Sequence, residues 1–203
     1  VNGRATINNN ADLEFSAEGL DDVQQLCNDE SRNTGNDDNV ADDEVLTFTN
    51  VSTDTTVGLR DTGVKTTVEF ADVGGSSDSA NFVFSGVEKT EPGSGTGFAV
   101  GSALTIDGIE TLTVTTTGSA SELSELEGDD LETLNITGDQ NLTITANELP
   151  RVSTIDASTS IGNVALRIGQ TDVDVSGGVG SDSFQLQGNL DGDTVDGGAG
   201  EDS

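Results

Sequence analysis

The sequence predicts an all-β chain: a parallel β-solenoid ending in a glycine- and aspartate-rich roll, preceded by a β-rich, less regular portion. Three observations carry this. Gly177-Gly178-Val179-Gly180-Ser181-Asp182-Ser183-Phe184-Gln185 reads G-G-x-G-x-D-x-U-x, with U a large apolar residue, and the pattern restarts at Gly197-Gly198-Ala199-Gly200-Glu201-Asp202. Nonapeptides of this form build parallel β-helices. Upstream, Ile109-x-x-Leu112-x-Val114, Leu131-x-x-Leu134-x-Ile136 and Val152-x-x-Ile155-x-Ala157 share one spacing and start 22 and 21 residues apart, the mark of stacked rungs. The aromatics are seven phenylalanines with no Trp or Tyr, too little bulk for a thick globular core but enough for a thin solenoid lined by Val, Ile and Leu.

Taken in order, the chain divides into residues 1–95, 96–176 and 177–203. In the first part, alternation at Ala5 and Ile7 and at Leu13 and Phe15 predicts one or two short strands. Ser16 to Cys27 reads as a short helix capped by Ser16, with Leu20, Val23 and Leu26 or Cys27 on one face. Residues 28–44 form an acidic loop that lacks EF-hand spacing. Strands follow at Leu46 and Phe48, Val57 and Leu59, Val64 to Phe70, and Phe82 and Phe84, with a turn at Gly74–Asp78. Glu91 to Gly97, with Pro92 and three glycines, marks a boundary. In the second part each rung motif is followed by another apolar patch, Leu142 and Ile144 after the second and Val164, Leu166 and Ile168 after the third. Ser119 to Glu127 is expected to insert a short helix, because Ser119 and Glu122 are spaced as a capping box.

The third part carries the chemistry. Its glycines permit close backbone approach, and carbonyl and carboxylate oxygens are the hard ligands that Ca²⁺ takes. The x-U-x segment is a short strand with one side chain inward. Gly188 to Asp196 fits the same register, with Asp193 at position six and Val195 at position eight; only Leu186 and Gln187 are extra. Successive nonapeptides turn on opposite edges, so the loops at 177–182 and 197–202 should stack on one edge. A Ca²⁺ between them would take Asp182 and Asp202 with carbonyls near Gly178, Gly180, Gly198 and Gly200. Asp193 falls on the other edge, and its neighbours Asp191 and Asp196 complete the candidate ligand set.

These residues resemble the RTX (repeats-in-toxin) calcium-binding β-roll. Asp193-Thr194-Val195-Asp196-Gly197-Gly198-Ala199-Gly200 and Gly108-Ile109-Glu110-Thr111-Leu112-Thr113-Val114 are similar to RTX-type surface-layer (S-layer) proteins of Gram-negative bacteria. The motifs cover about residues 105–203, while 45–104 are alike in texture only. The resemblance implies an extracellular or cell-surface protein, exported by a type I system, folded outside by Ca²⁺, and structural in role. Its partners would be copies of itself in a lattice or filament, with cell-surface polysaccharide a second candidate. Two other readings remain open: a segment of a large RTX adhesin, and the non-catalytic tail of a secreted RTX toxin, protease or lipase.

Composition narrows the function further. Seven basic residues against 38 acidic ones, with no histidine, give a net charge of −31. Binding to nucleic-acid phosphates needs clustered Lys and Arg and is not expected. Such a chain suits multivalent cations, and folding that waits for them. Without histidine there is no His-based triad, no His metal ligand and no HExxH motif. The 38 acidic residues offer many carboxylate pairs of the kind that cleave glycosides, but Trp and Tyr platforms for sugars are absent. No Walker A motif occurs, and Gly177-Gly178-x-Gly180 does not open a helix as a dinucleotide site requires. The chain is therefore not expected to be an enzyme. No apolar run could span a bilayer. Cys27, the only cysteine, reads as a small buried residue. Asn50-Val51-Ser52, Asn135-Ile136-Thr137 and Asn141-Leu142-Thr143 match glycosylation acceptors, as chance allows in an Asn- and Thr-rich chain. The chain starts at Val1 and stops in mid-repeat, and reads as a fragment of a longer polypeptide.

Overall fold

The computed structural model describes residues 13–20, 23–29, 45–88, 102–169, 172–187 and 191–203. Within them every regular element is a strand, and no helix is long and apolar enough to cross a membrane. The strands are β1 (Leu13–Ser16), β2 (Gln25–Asp29), β3 (Val45–Val51), β4 (Thr56–Arg60), β5 (Lys65–Phe70), β6 (Ser79–Ser85), β7 (Ala103–Asp107), β8 (Thr111–Thr116) and β9 (Ser121–Leu123). They continue as β10 (Glu125–Glu127), β11 (Thr133–Gly138), β12 (Leu142–Ile144), β13 (Asn147–Glu148), β14 (Thr154–Ser160), β15 (Val164–Ile168), β16 (Asp174–Ser176), β17 (Ser183–Leu186) and β18 (Thr194–Asp196).

All pairings are parallel, and they form three sheets. Sheet I runs β1-β3-β5-β7-β10-β13, sheet II runs β2-β4-β6-β8-β11-β14-β16-β18, and sheet III runs β9-β12-β15-β17. The chain first alternates between sheets I and II. From β7 to β15 it visits I, II and III in turn, which makes a three-sided rung. From β14 onward it alternates between II and III, a two-sided roll. Sheet II is thus the spine, sheet I backs its first part, and sheet III backs its last.

Inward side chains stack rung on rung. Leu26, Val57, Phe82, Val114 and Ile136 make one column. Ala80, Leu112, Leu134, Ile155 and Val175 make the next, and Leu123, Ile144, Leu166 and Phe184 line sheet III. All are buried in one continuous core, the Val, Leu, Ile and Phe side chains each contributing roughly 1.5–3 kcal/mol of burial as an upper bound. Five of the phenylalanines cluster where sheets I and II face each other: Phe70, Phe82 and Phe84 meet edge to face at 6.4 and 6.3 Å, and Phe15 meets Phe48 at 6.2 Å. Cys27 is buried, as expected.

Neither expected helix forms among the described residues: the first is a turn at Glu18 and Gly19 between two strands, and the second is a pair of strands. Ser16 ends β1, Gln25 to Cys27 lie in β2, and Asp21 and Asp22 lie outside the described residues. Ser121–Leu123 and Glu125–Glu127 are the strands β9 and β10, with a corner at Ser124. A chain that turns a corner places its inward residues three apart, Leu123 and Leu126 here, and so imitates the helical period. Ser124 secures this corner: its N–H and hydroxyl both donate to the Ser102 carbonyl one rung below, at 2.8 and 2.6 Å, and the Thr145 hydroxyl donates to the Ser124 carbonyl at 3.0 Å.

Parallel pairing is also continuous through the first portion. β5 pairs with β7 and β6 with β8, so parallel sheets run from residue 13 across the expected boundary near 95. β15 pairs with β17 and β16 with β18 across the second, near 176. The expected strand at Ala5 and Ile7, most of the acidic loop and the Glu91–Gly97 loop fall outside the described residues. Asn28 and Asp29, assigned to that loop, belong to β2.

Asp107 ends β7 on the outer face of sheet I. Burial, and then the charges of Asp129, Glu127 and Asp130, push its carboxyl above the usual range. A raised pKa in the folded state means that the ionised form opposes folding, and protonation as pH falls through it relieves the strain. Asp107→Asn is therefore expected to raise the melting temperature slightly at pH 7 and to leave it unchanged near pH 3, in thermal scans at low salt. A parent-like melting temperature at pH 7 would show that solvent screens these charges completely.

Candidate cation-binding turns

The two-sided roll has two edges. The turns at 161–163 and 177–182 lead from sheet II to sheet III, the turn at 197–202 follows β18 of sheet II, and the three stack. The backbones touch: the Val179 N–H donates to the Ser160 carbonyl at 3.0 Å and the Ala199 N–H to the Gly178 carbonyl at 2.8 Å. Contact this close is why glycine is required. A Cβ at Gly198, whose φ is +86°, would strike the carbonyl oxygens of Gly178 and Gly177, and one at Gly200 (φ +139°) would strike that of Gly180.

The aspartates at position six reach back one rung. Asp182, 1% exposed, accepts from the Val164 N–H through Oδ1 and from the Gly178 N–H through Oδ2, both at 2.8 Å. Asp202 repeats the first bond one rung on, its Oδ1 accepting from the Asp182 N–H at 2.9 Å. Each carboxylate folds over the first glycine of its own turn, where a side chain at Gly177 or Gly197 would collide with it. Amides bridge the turns in the opposite sense, reaching one rung forward: Asn163 Oδ1 accepts from the Ser181 N–H at 2.8 Å, and Asn141 Oδ1 from the Asn163 N–H at 2.9 Å. Four successive turns thus carry an Asn or Asp whose side-chain oxygen bonds the backbone of an adjacent turn. Sequence reasoning missed Asn141 and Asn163. Their 22-residue separation, each just before an inward apolar residue, was the available signal.

The nine candidate ligands divide between the edges. Gly178, Gly180, Asp182, Gly198, Gly200 and Asp202 share the edge described, and Asp196 borders it, its Oδ1 accepting from the Gly198 N–H at 3.0 Å. Asp193 lies on the opposite edge, as the nonapeptide alternation predicts, and its Oδ1 accepts from the Val173 N–H at 2.9 Å. Asp191 is exposed on that edge, where Gly192 (φ +113°) packs against the Asp172 carboxylate, another residue that sequence reasoning missed. The oxygens between the turns 177–182 and 197–202 are the carbonyls of Gly177, Gly178 and Gly180 and the carboxylates of Asp182 and Asp202, two of them already accepting from the Ala199 and Asp182 N–H groups. That donor set fits a hard cation such as Ca²⁺ in kind. Among the described residues no three His, Cys, Asp or Glu side chains converge, so backbone carbonyls would have to supply much of the coordination.

No family model, no curated protein and no solved structure matches the chain.

Proposed function

We propose that this chain is a structural, extracellular protein that forms or supports a cell-surface layer, and that Ca²⁺ folds it and cross-bridges its copies. The observation that supports this reading best is the stacking of the turns 177–182 and 197–202, which sets two carboxylates among backbone carbonyls in a chain of net charge −31. Asp182 and Asp202, with the carbonyls of Gly178 and Gly180, would hold the ion, while Gly198 and Gly200 supply the close approach. The bound ion supplies charge neutralisation and fixed turn geometry. A site assembled only by folding turns binding free energy into folding free energy.

The test is circular dichroism with light scattering during a Ca²⁺ titration, with Mg²⁺ as control. A gain in β signal and in resistance to urea that is specific to Ca²⁺, followed by growth into large ordered particles, is the expected result. Folding without growth would shift the reading to an adhesin segment or the tail of a secreted toxin or hydrolase. Absence of any response to Ca²⁺ would refute the calcium reading.

A further inference from the structure

Charge is unevenly spread over the outer faces. On sheet II, β6 presents Ser79, Asn81, Val83 and Ser85, β8 presents Thr111, Thr113 and Thr115, and β11 presents Thr133, Asn135 and Thr137. None of these ten residues is charged and none is buried. On either side charge returns, with Arg60 on β4 and Asp156 on β14. Nowhere on the described parts of sheets I and III do two adjacent strands both lack outward charge. Glu14, Lys65 and Glu69, Asp107, and Glu125 and Glu127 punctuate sheet I, and Glu122 and Arg167 punctuate sheet III. Asp78, Glu110 and Glu132 rim the neutral window at the strand starts.

From this pattern we infer that the window on β6, β8 and β11 is the surface through which one copy of the chain meets another. The inference rests on the assembly reading above and names the contact. Two copies each carrying −31 repel wherever acidic surfaces approach, and like charges placed against each other across an interface are costly. The neutral window is the part of the described sheets over which two copies can come together with carboxylates confined to its rim. Its β-branched threonines are stiff at χ1, so little rotamer freedom is lost on contact. Three strands at about 4.8 Å and seven residues at about 3.3 Å give roughly 300 Å² per copy. That is well under the roughly 800 Å² per partner of a stable pair. The contact is therefore weak between two copies and holds where it is repeated along an assembly.

The experiment is sedimentation velocity with light scattering at saturating Ca²⁺ on the parent, on Thr113→Glu/Asn135→Asp, and on Thr143→Glu/Ser183→Glu, which adds the same charge to the outer face of sheet III. Circular dichroism confirms that each is folded. The window variant is expected to need at least tenfold more protein to assemble, with the sheet III variant close to the parent. If all three assemble alike, the window is not the contact, although the assembly reading stands. An equal loss in both variants would make net charge, not location, the cause and would also overturn the inference. A folded parent that stays monomeric would remove the assembly reading and this contact together.

Discussion

In calcium-free buffer, Asp182→Ala is expected to unfold with about 3 kcal/mol less free energy than the parent, and Asp182→Asn with about 1–2 kcal/mol less. The carboxylate is buried and each of its oxygens accepts one backbone N–H, from Val164 and from Gly178. Alanine removes both acceptors and leaves two amides unsatisfied inside the edge. Each such loss costs about 1–3 kcal/mol. Asparagine keeps one oxygen but turns an NH₂ towards the other N–H, so one of the two bonds is lost. Asp202 is exposed and accepts a single amide, from Asp182, and Asp202→Ala should cost about 1 kcal/mol or less without calcium. Urea denaturation with a chelator, repeated at saturating Ca²⁺, separates two roles of these carboxylates. As brackets for the turns they act without the ion. As ligands they matter more when it is present, and the gap between parent and both variants then widens. Parent-like stability of Asp182→Ala in the chelator would show that the bracket contributes nothing. A gap that does not change with Ca²⁺ would remove these two residues from the ligand set.

What could be read in the sequence follows from what a parallel stack demands of it. A rung must return an apolar residue to the same place each turn, and so Leu112, Leu134 and Ile155 announce sheet II at separations of 22 and 21. The nonapeptides announce their turns because only glycine fits where Gly198 lies on Gly178 and Gly200 on Gly180. The number of sides per rung was not legible. A strand on sheet I and a strand on sheet III both read as one or two inward apolar residues between polar ones. The addition of sheet III at β9 and the loss of sheet I after β13 alter only which strands pair, which composition does not record. The helix readings failed for the related reason that a corner such as Ser124 adds one residue to the period of two. The first part looked irregular because its corners use other residues: Asp61 (φ +45°) occupies, below Gly86 and Gly118, the left-handed position that the later rungs give to glycine. At the candidate site the aspartates of position six were legible, and the asparagine rungs beneath them were not. Asn141 and Asn163 make the same kind of bond as Asp182 and Asp202 without the charge that attracts notice.

The corner glycines yield the second large effect. Gly118→Asn is expected to change stability by less than about 1 kcal/mol, and Gly138→Asn to lower it by about 3 kcal/mol or to prevent folding. Both positions have positive φ, +67° at Gly118 and +114° at Gly138. At Gly118 the conformation is ordinary left-handed helix, which asparagine tolerates best among residues with a Cβ. The chain itself places Asp61 at the corresponding corner of an earlier rung. A Cβ there would meet only the Ser85 hydroxyl at 2.6 Å, the mobile end of a short side chain that can turn away. At Gly138 the φ lies further from any basin open to asparagine, and the Cβ would strike the Thr116 carbonyl oxygen and amide nitrogen directly below. Backbone cannot rotate aside. Gly138 pairs with Thr116 across β11 and β8, and the buried Thr116 hydroxyl is itself tied to the next corner, lying 2.8 Å from the Gln140 carbonyl. Separating these rungs would open the core where sheets II and III meet. Urea midpoints for the two variants at a fixed Ca²⁺ concentration give the comparison. Equal losses would mean that the left-handed conformation alone sets the cost, and that the rungs have slack to move apart at this corner.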